Sequence, residues 1–115
     1  MIPAVHQWDI VRVRVNPDDR DEHPAVILTC EEFCLSLHRH RLNVLYGSSL
    51  RPGEKRESYE ITLNGAAGLE RPTVFSCAHV YTVDRRKITA AVGRVAPERR
   101  RQIGRTLVAV FRLPL

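Results

Sequence analysis

Trp8-Asp9-Ile10-Val11-Arg12-Val13-Arg14-Val15 alternates over its second half, with Val11, Val13 and Val15 projecting to one side and Arg12 and Arg14 to the other. That period of two marks a half-buried strand, because successive side chains on an extended backbone point to opposite faces. Downstream, Asn16-Pro17-Asp18-Asp19-Arg20-Asp21-Glu22 breaks the pattern with a polar, acidic loop rich in turn formers. Pro24–Thr29 reads as a second strand, apolar enough for burial on both faces. Residues 30–41 suit a turn or a short helix that ends in the basic run His38-Arg39-His40-Arg41. Leu42–Tyr46 reads as a third strand, closed by Gly47-Ser48-Ser49.

Further on, Leu50–Glu57 is a charged loop turned at Pro52-Gly53. Ser58–Leu63 alternates again and ends at Asn64-Gly65, a strong hairpin-turn signal. Thr73–Ser76 and Lys87–Val92 predict two more short strands. A helix starts at Pro97, where proline needs no donor and Glu98 meets the positive end of the helix dipole. Val95, Ile103, Leu107, Val110 and Phe111 recur at helical spacing, and Pro114 stops the pattern. Short strands followed by a terminal amphipathic helix predict a mainly β protein with α: a small, strongly curved sheet or barrel with the helix packed on it.

The bulk properties narrow the class. A length of 115 residues suits one domain, and 43% apolar content is enough to fill its core. No apolar run approaches the roughly 20 residues that cross a bilayer, so no membrane partner is expected. No secretory pattern is visible at the N-terminus, which predicts a cytoplasmic protein. The odd count of cysteines, Cys30, Cys34 and Cys77, agrees with reduced thiols. The net charge of +5 is carried mostly by arginine, whose planar fork matches phosphate, although basic faces are often simply solvated.

The order of elements, taken with the residues at their joints, resembles the MazF/PemK/Kid toxin family along nearly the whole chain. Asp9-Ile10-Val11 with Asn16-Pro17 looks like that family's first strand and turn, and His23–Leu28 is similar to its Arg-Pro-Ala-Leu-Val-Leu segment. Val44–Ser49 sits where members end a strand in Thr or Ser. Cys77–Asp84 resembles the segment ending in an apolar-Arg-Thr-Ile-Asp run, and Gly93–Pro97 with its helix resembles the closing element. The resemblance implies a single SH3-like, PemK-type barrel domain over residues 1–115 that forms a homodimer. It also implies a metal-independent endoribonuclease without cofactor, acting on single-stranded RNA and held inactive by a cognate antitoxin.

Metal-free cleavage through the RNA's own 2′-hydroxyl needs a proton acceptor, a proton donor for the leaving 5′ oxygen, and stabilisation of the phosphorane. The family arginine before proline is replaced by His23, which can serve as acid or base near neutral pH. Arg20, in the same loop, supplies the missing cation, and Ser48 falls on the family Thr/Ser position. These three are the expected catalytic residues. Ser49, Arg51 and His79 are the expected RNA contacts. Trp8, which stands where members have glycine, and Tyr46 and Tyr59 are candidates for stacking bases or for packing.

Several departures keep other readings open. Ser76-Cys77-Ala78-His79 lacks the Arg and Asp that flank the cysteine in some members, and Asp18, Asp19, Asp21 and Glu22 would repel phosphate unless neutralised. An impaired member that only binds RNA or antitoxin fits these changes, and a gyrase poison of the CcdB type shares the barrel. Cys30, Cys34, His38 and His40 would align as zinc ligands only if residues 30–38 were helical. A nucleophilic Cys77 would need a neighbouring base, which the sequence does not place.

Overall fold

A computed structural model describes residues 4–18 and 21–115. The elements run β1 (Asp9–Val13), β2 (His23–Ile27), α1 (Glu31–Leu35), β3 (Arg41–Ser49), β4 (Glu60–Leu63), β5 (Thr73–Ser76), β6 (Tyr81–Asp84), β7 (Ile88–Arg94) and α2 (Pro97–Phe111). All pairings are antiparallel, in the order β4-β5-β3-β2-β1-β7, with β6 on β3 as well. The protein is mainly β with a C-terminal helix, as the patterning indicates. No described helix is long and apolar enough to cross a membrane.

Alternation along β1, β2 and β3 sorts their side chains into two cores on opposite faces. Val11, Val13, Ala25, Ile27, Leu42 and Val44 fill one; Ile10, Val26 and Leu45 belong to the other, with Phe75, Val95 and Ile103. The apolar run of β2 is therefore buried on both sides, as its composition requires. The helix contributes less than its pattern suggests. Ile103 is buried and Leu107 packs on the second core, but Val108 and Phe111 are exposed.

The expected barrel is an open sheet, since β4 and β7 do not pair. Its two ends nevertheless meet. The 3-10 turn Gly65–Ala67, which replaces the hairpin turn expected at Asn64-Gly65, brings Gly68 against Val92 and Gly93. A Cβ on Gly68 would collide with the Val92 carbonyl oxygen, and one on Gly93 with that of Ala67, so backbone lies directly on backbone there. β3 also differs from expectation, because it continues through Gly47 to Ser49, and β6 is a strand that the patterning missed.

Residues 30–41 resolve into the short α1, held from beneath by Arg85. This guanidinium is 1% exposed, although its basic neighbourhood reads as a solvated face. Its Nε donates to the Arg39 carbonyl at 3.0 Å, and Nη2 to those of Phe33 at 3.3 Å and Ser36 at 3.4 Å. The Phe33 and Ser36 carbonyls each already accept one backbone N–H, from Ser36 and Arg39, and the guanidinium adds a second donor to each while meeting the negative end of the helix. Beside it, the Arg86 guanidinium bonds the Asp84 carboxylate and holds that group well below the usual carboxylate range.

Trp8 explains its own departure from the family glycine. Its φ is +72°, a left-handed conformation that glycine adopts freely and other residues adopt at a cost of roughly 1–2 kcal/mol. The backbone is pinned by two bonds, Trp8 N–H to the Ile27 carbonyl and Val95 N–H to the Trp8 carbonyl, both 2.9 Å. The indole, half-buried, offsets the strain by packing on the second core. Trp8→Gly should therefore be more stable than Trp8→Ala by about 1 kcal/mol in urea unfolding, the reverse of the usual Ala–Gly order. Equal midpoints, or Ala above Gly, would contradict a backbone-imposed φ.

Candidate functional site

The hydrogen-bonded register of β2 and β3 pairs Ala25 with Tyr46 and Ile27 with Val44. The register ends there, and His23 and Ser48 lie beyond it, His23 paired with Val13 of β1 and Ser48 with Val74 of β5. His23 and Ser48 both line a groove of about 1060 Å³. Ser49 and Arg51 join them from the end of β3, so four of the six residues singled out in the sequence share one surface. His23 is exposed and begins β2, paired with Val13 of β1, and does not sit in the preceding loop. Arg20 lies outside the described residues.

His79 is placed differently. β5 and β6 follow one another along the same edge of β3, but with a break in register: Phe75 pairs with Gly47, whereas Tyr81 pairs with Val44. Ser76–Val80 therefore bulge opposite Leu45 and Tyr46 alone. His79 sits on this bulge, exposed, against the Tyr81 ring and outside the groove lining.

The groove also holds cations that the residue-by-residue reading passed over. Arg12 enters from β1, Arg14 from just past its end and Arg71 from the segment before β5. The alternation of Arg12 and Arg14 placed both on one face of β1, but only the folded sheet brings that face to the end of β3. Arg12 pairs with Glu70 at 3.2 Å and Arg14 with Glu22 at 3.3 Å. Glu22 of the acidic loop is thus neutralised locally. Arg51 and Arg71 form no ion pair among the described residues, which leaves two guanidinium forks for an anion. Asp21 and Glu54 line the same groove. Chemically, the surface offers one imidazole for proton transfer, two serine hydroxyls and four guanidiniums for a phosphate, in a cleft open to solvent, while the Thr73 hydroxyl is spent on the Arg71 carbonyl.

Neither alternative site assembles. α1 ends at Leu35, so His38 does not continue the helical row of Cys30 and Cys34, and no three His, Cys, Asp or Glu side chains among the described residues group closely enough to hold a metal ion. Cys77 is buried in the second core, and desolvation pushes its thiol up to about 11.

An open, curved antiparallel sheet with a C-terminal helix and a basic groove at one strand end defines the architecture. A family model described as PemK-like, MazF-like toxin of type II toxin–antitoxin systems matches residues 6–111, and the chain belongs to that family. No curated protein matches it in sequence. Among solved structures it is similar to the Mycobacterium tuberculosis toxin MazF-mt6, with TM-score 0.73 and 19% identity over 93% of this chain and 99% of that one. It is also similar to an endoribonuclease in complex with its cognate antitoxin from a mycobacterial species (TM-score 0.76, 13% identity, 97% and 99% covered). The MazE–MazF complex of Deinococcus radiodurans gives TM-score 0.74 at 13% identity, with 97% and 99% covered.

The cysteines provide a check on the site. Desolvation raises Cys34 as well as Cys77 to about 11, while Cys30 is exposed. The thiolate is the reactive form, and a raised pKa keeps it scarce until the pH nears that value. Iodoacetamide at pH 8 should add one group to the native protein, at Cys30, and three in guanidinium. Rapid native alkylation of Cys77 would reopen the nucleophile reading.

Proposed function

We propose that this chain is a toxin that cuts single-stranded RNA without a metal, with His23 handling protons and the groove arginines binding the scissile phosphate. The observation that carries this reading is the convergence of His23, Ser48 and Ser49 with two unpaired guanidiniums in one groove. The RNA 2′-oxygen forms a bond to phosphorus while the bond to the 5′ oxygen breaks, leaving a 2′,3′-cyclic phosphate and a 5′-hydroxyl. One proton leaves the 2′-hydroxyl and one is delivered to the 5′ oxygen. His23 serves one of these transfers, in place of a permanent cation before the proline. Arg51 and Arg71 stabilise the charge that develops on the phosphorane, and Ser48 and Ser49 donate hydrogen bonds to its non-bridging oxygens. Arg20, three residues before His23 in the sequence, is proposed as a further cation.

Family membership extends the proposal to a cytoplasmic homodimer controlled by a cognate antitoxin, as in the MazE–MazF complexes it resembles. One feature favours a second reading. Asp21, Glu22, Glu54 and Glu70 match the four groove arginines in number, which weakens the field that would gather RNA. A member that binds RNA or antitoxin without cutting would tolerate that balance.

The test is incubation of purified protein with a long single-stranded RNA in EDTA, with the cut ends mapped. The proposal expects discrete cuts with 5′-hydroxyl ends, and a His23→Gln variant that keeps its fold but cuts about 100-fold more slowly or worse. Cleavage unchanged by His23→Gln would remove the histidine from the chemistry. RNA left whole by a folded sample would favour the binding reading, and stabilised gyrase–DNA breaks would favour a gyrase poison.

A further inference from the structure

A row of rings leaves the groove and crosses the sheet from β2 over β3 to β6. His23 and Tyr46 have ring centroids 6.4 Å apart in an edge contact, Tyr46 and Tyr81 lie 5.0 Å apart and tilted, and Tyr81 and His79 lie 6.4 Å apart, again edge-on. The row is built by the sheet. Tyr81 pairs with Val44, two residues from Tyr46 on the same face of β3, and the bulge before β6 carries His79 into edge contact with Tyr81. None of the three contacts is a parallel stack. Tyr46 is half-buried on the first core and its hydroxyl is raised by that desolvation, so its ring is anchored. Tyr81 is 46% exposed, and the neighbouring Val80 40%, so the outer part of the row is a solvent-facing aromatic surface.

Large aromatics held rigid at their base and open at their tip suit one ligand class well: the flat faces of unpaired nucleobases. The phosphate-binding groups sit at one end of the row and no carboxylate takes part in the ring contacts. We infer that Tyr81, with His79, forms a base-stacking subsite that holds a nucleotide next to the scissile one, reached along Tyr46 from His23. This rests on the RNA reading of the groove. Stacking tolerates all bases, so the subsite contributes affinity and orientation, while discrimination falls to the His79 edge.

The experiment uses uncleavable single-stranded oligonucleotides carrying deoxyribose at the cleavage position, bound to the full-length protein over a salt series. One set has an abasic residue at each position in turn. Tyr81→Ala should weaken binding on the order of 10-fold, with Tyr81→Trp near the parent. The salt slope should stay unchanged, since no phosphate contact is lost. One abasic position should cost the parent a similar factor and cost Tyr81→Ala nothing further. If the parent binds but Tyr81→Ala loses nothing, or its loss persists at every abasic position, the rings only cap the first core and the subsite is overturned. If the parent binds no oligonucleotide at all, the RNA reading fails and the subsite with it.

Discussion

Everything in this structure hangs on β3. Its nine residues serve three partners: β2 along one edge, and β6 then β5 along the other. One strand can do this only if its second half departs from its first, and Gly47 marks that point. A Cβ there would lie 2.5 Å from the Thr73 methyl and 2.7 Å from the Phe75 ring, both on β5 and both buried. The absent side chain lets β5 close on β3 while Ser48 and Ser49 continue beyond it. The same passage leaves two residues of β3 opposite the five-residue bulge. The phosphate groove and the aromatic row are thus consequences of one strand being shared.

Charge in the groove is arranged in two grades. Arg12 and Arg14 are held by Glu70 and Glu22 in partly exposed pairs, which are worth roughly 0–1 kcal/mol each and give way readily to a phosphate. Arg51 and Arg71 stand unpaired among the described residues. An anion entering so nearly balanced a cleft would have to exchange carboxylates for itself, so affinity there would depend on local geometry more than on the net charge of the chain. The buried Arg85 obeys a different rule. Deep burial of a cation is costly unless its donors are met, and three carbonyls meet them while fixing α1 in place.

Much of this was legible in the residues themselves. Alternation located β1, apolar composition identified β2 as buried on both faces, and Pro97-Glu98 marked the start of α2. The joints that resemble the toxin family pointed to His23 and Ser48, and both line one groove. What stayed hidden depends on long-range pairing. β6 is four residues long with only Val83 buried, so it has no apolar signature of its own. Arg85 is indistinguishable in sequence from the solvated Arg86 beside it, and only the end of α1, some fifty residues away in the chain, gives it a reason to be buried. Arg71 reaches the groove because β5 pairs with β3, and the role of Trp8 follows from a positive φ that no composition reveals.

The most direct measurement is a nuclear magnetic resonance titration of the isotopically labelled protein with an uncleavable single-stranded oligonucleotide, following every backbone amide. The shared-strand account predicts that the shifts concentrate at residues 12–14, 21–24, 47–51 and 69–73, extend to 79–81, and leave α2 unmoved. Shifts centred on α2 or on α1, with the end of β3 silent, would contradict it.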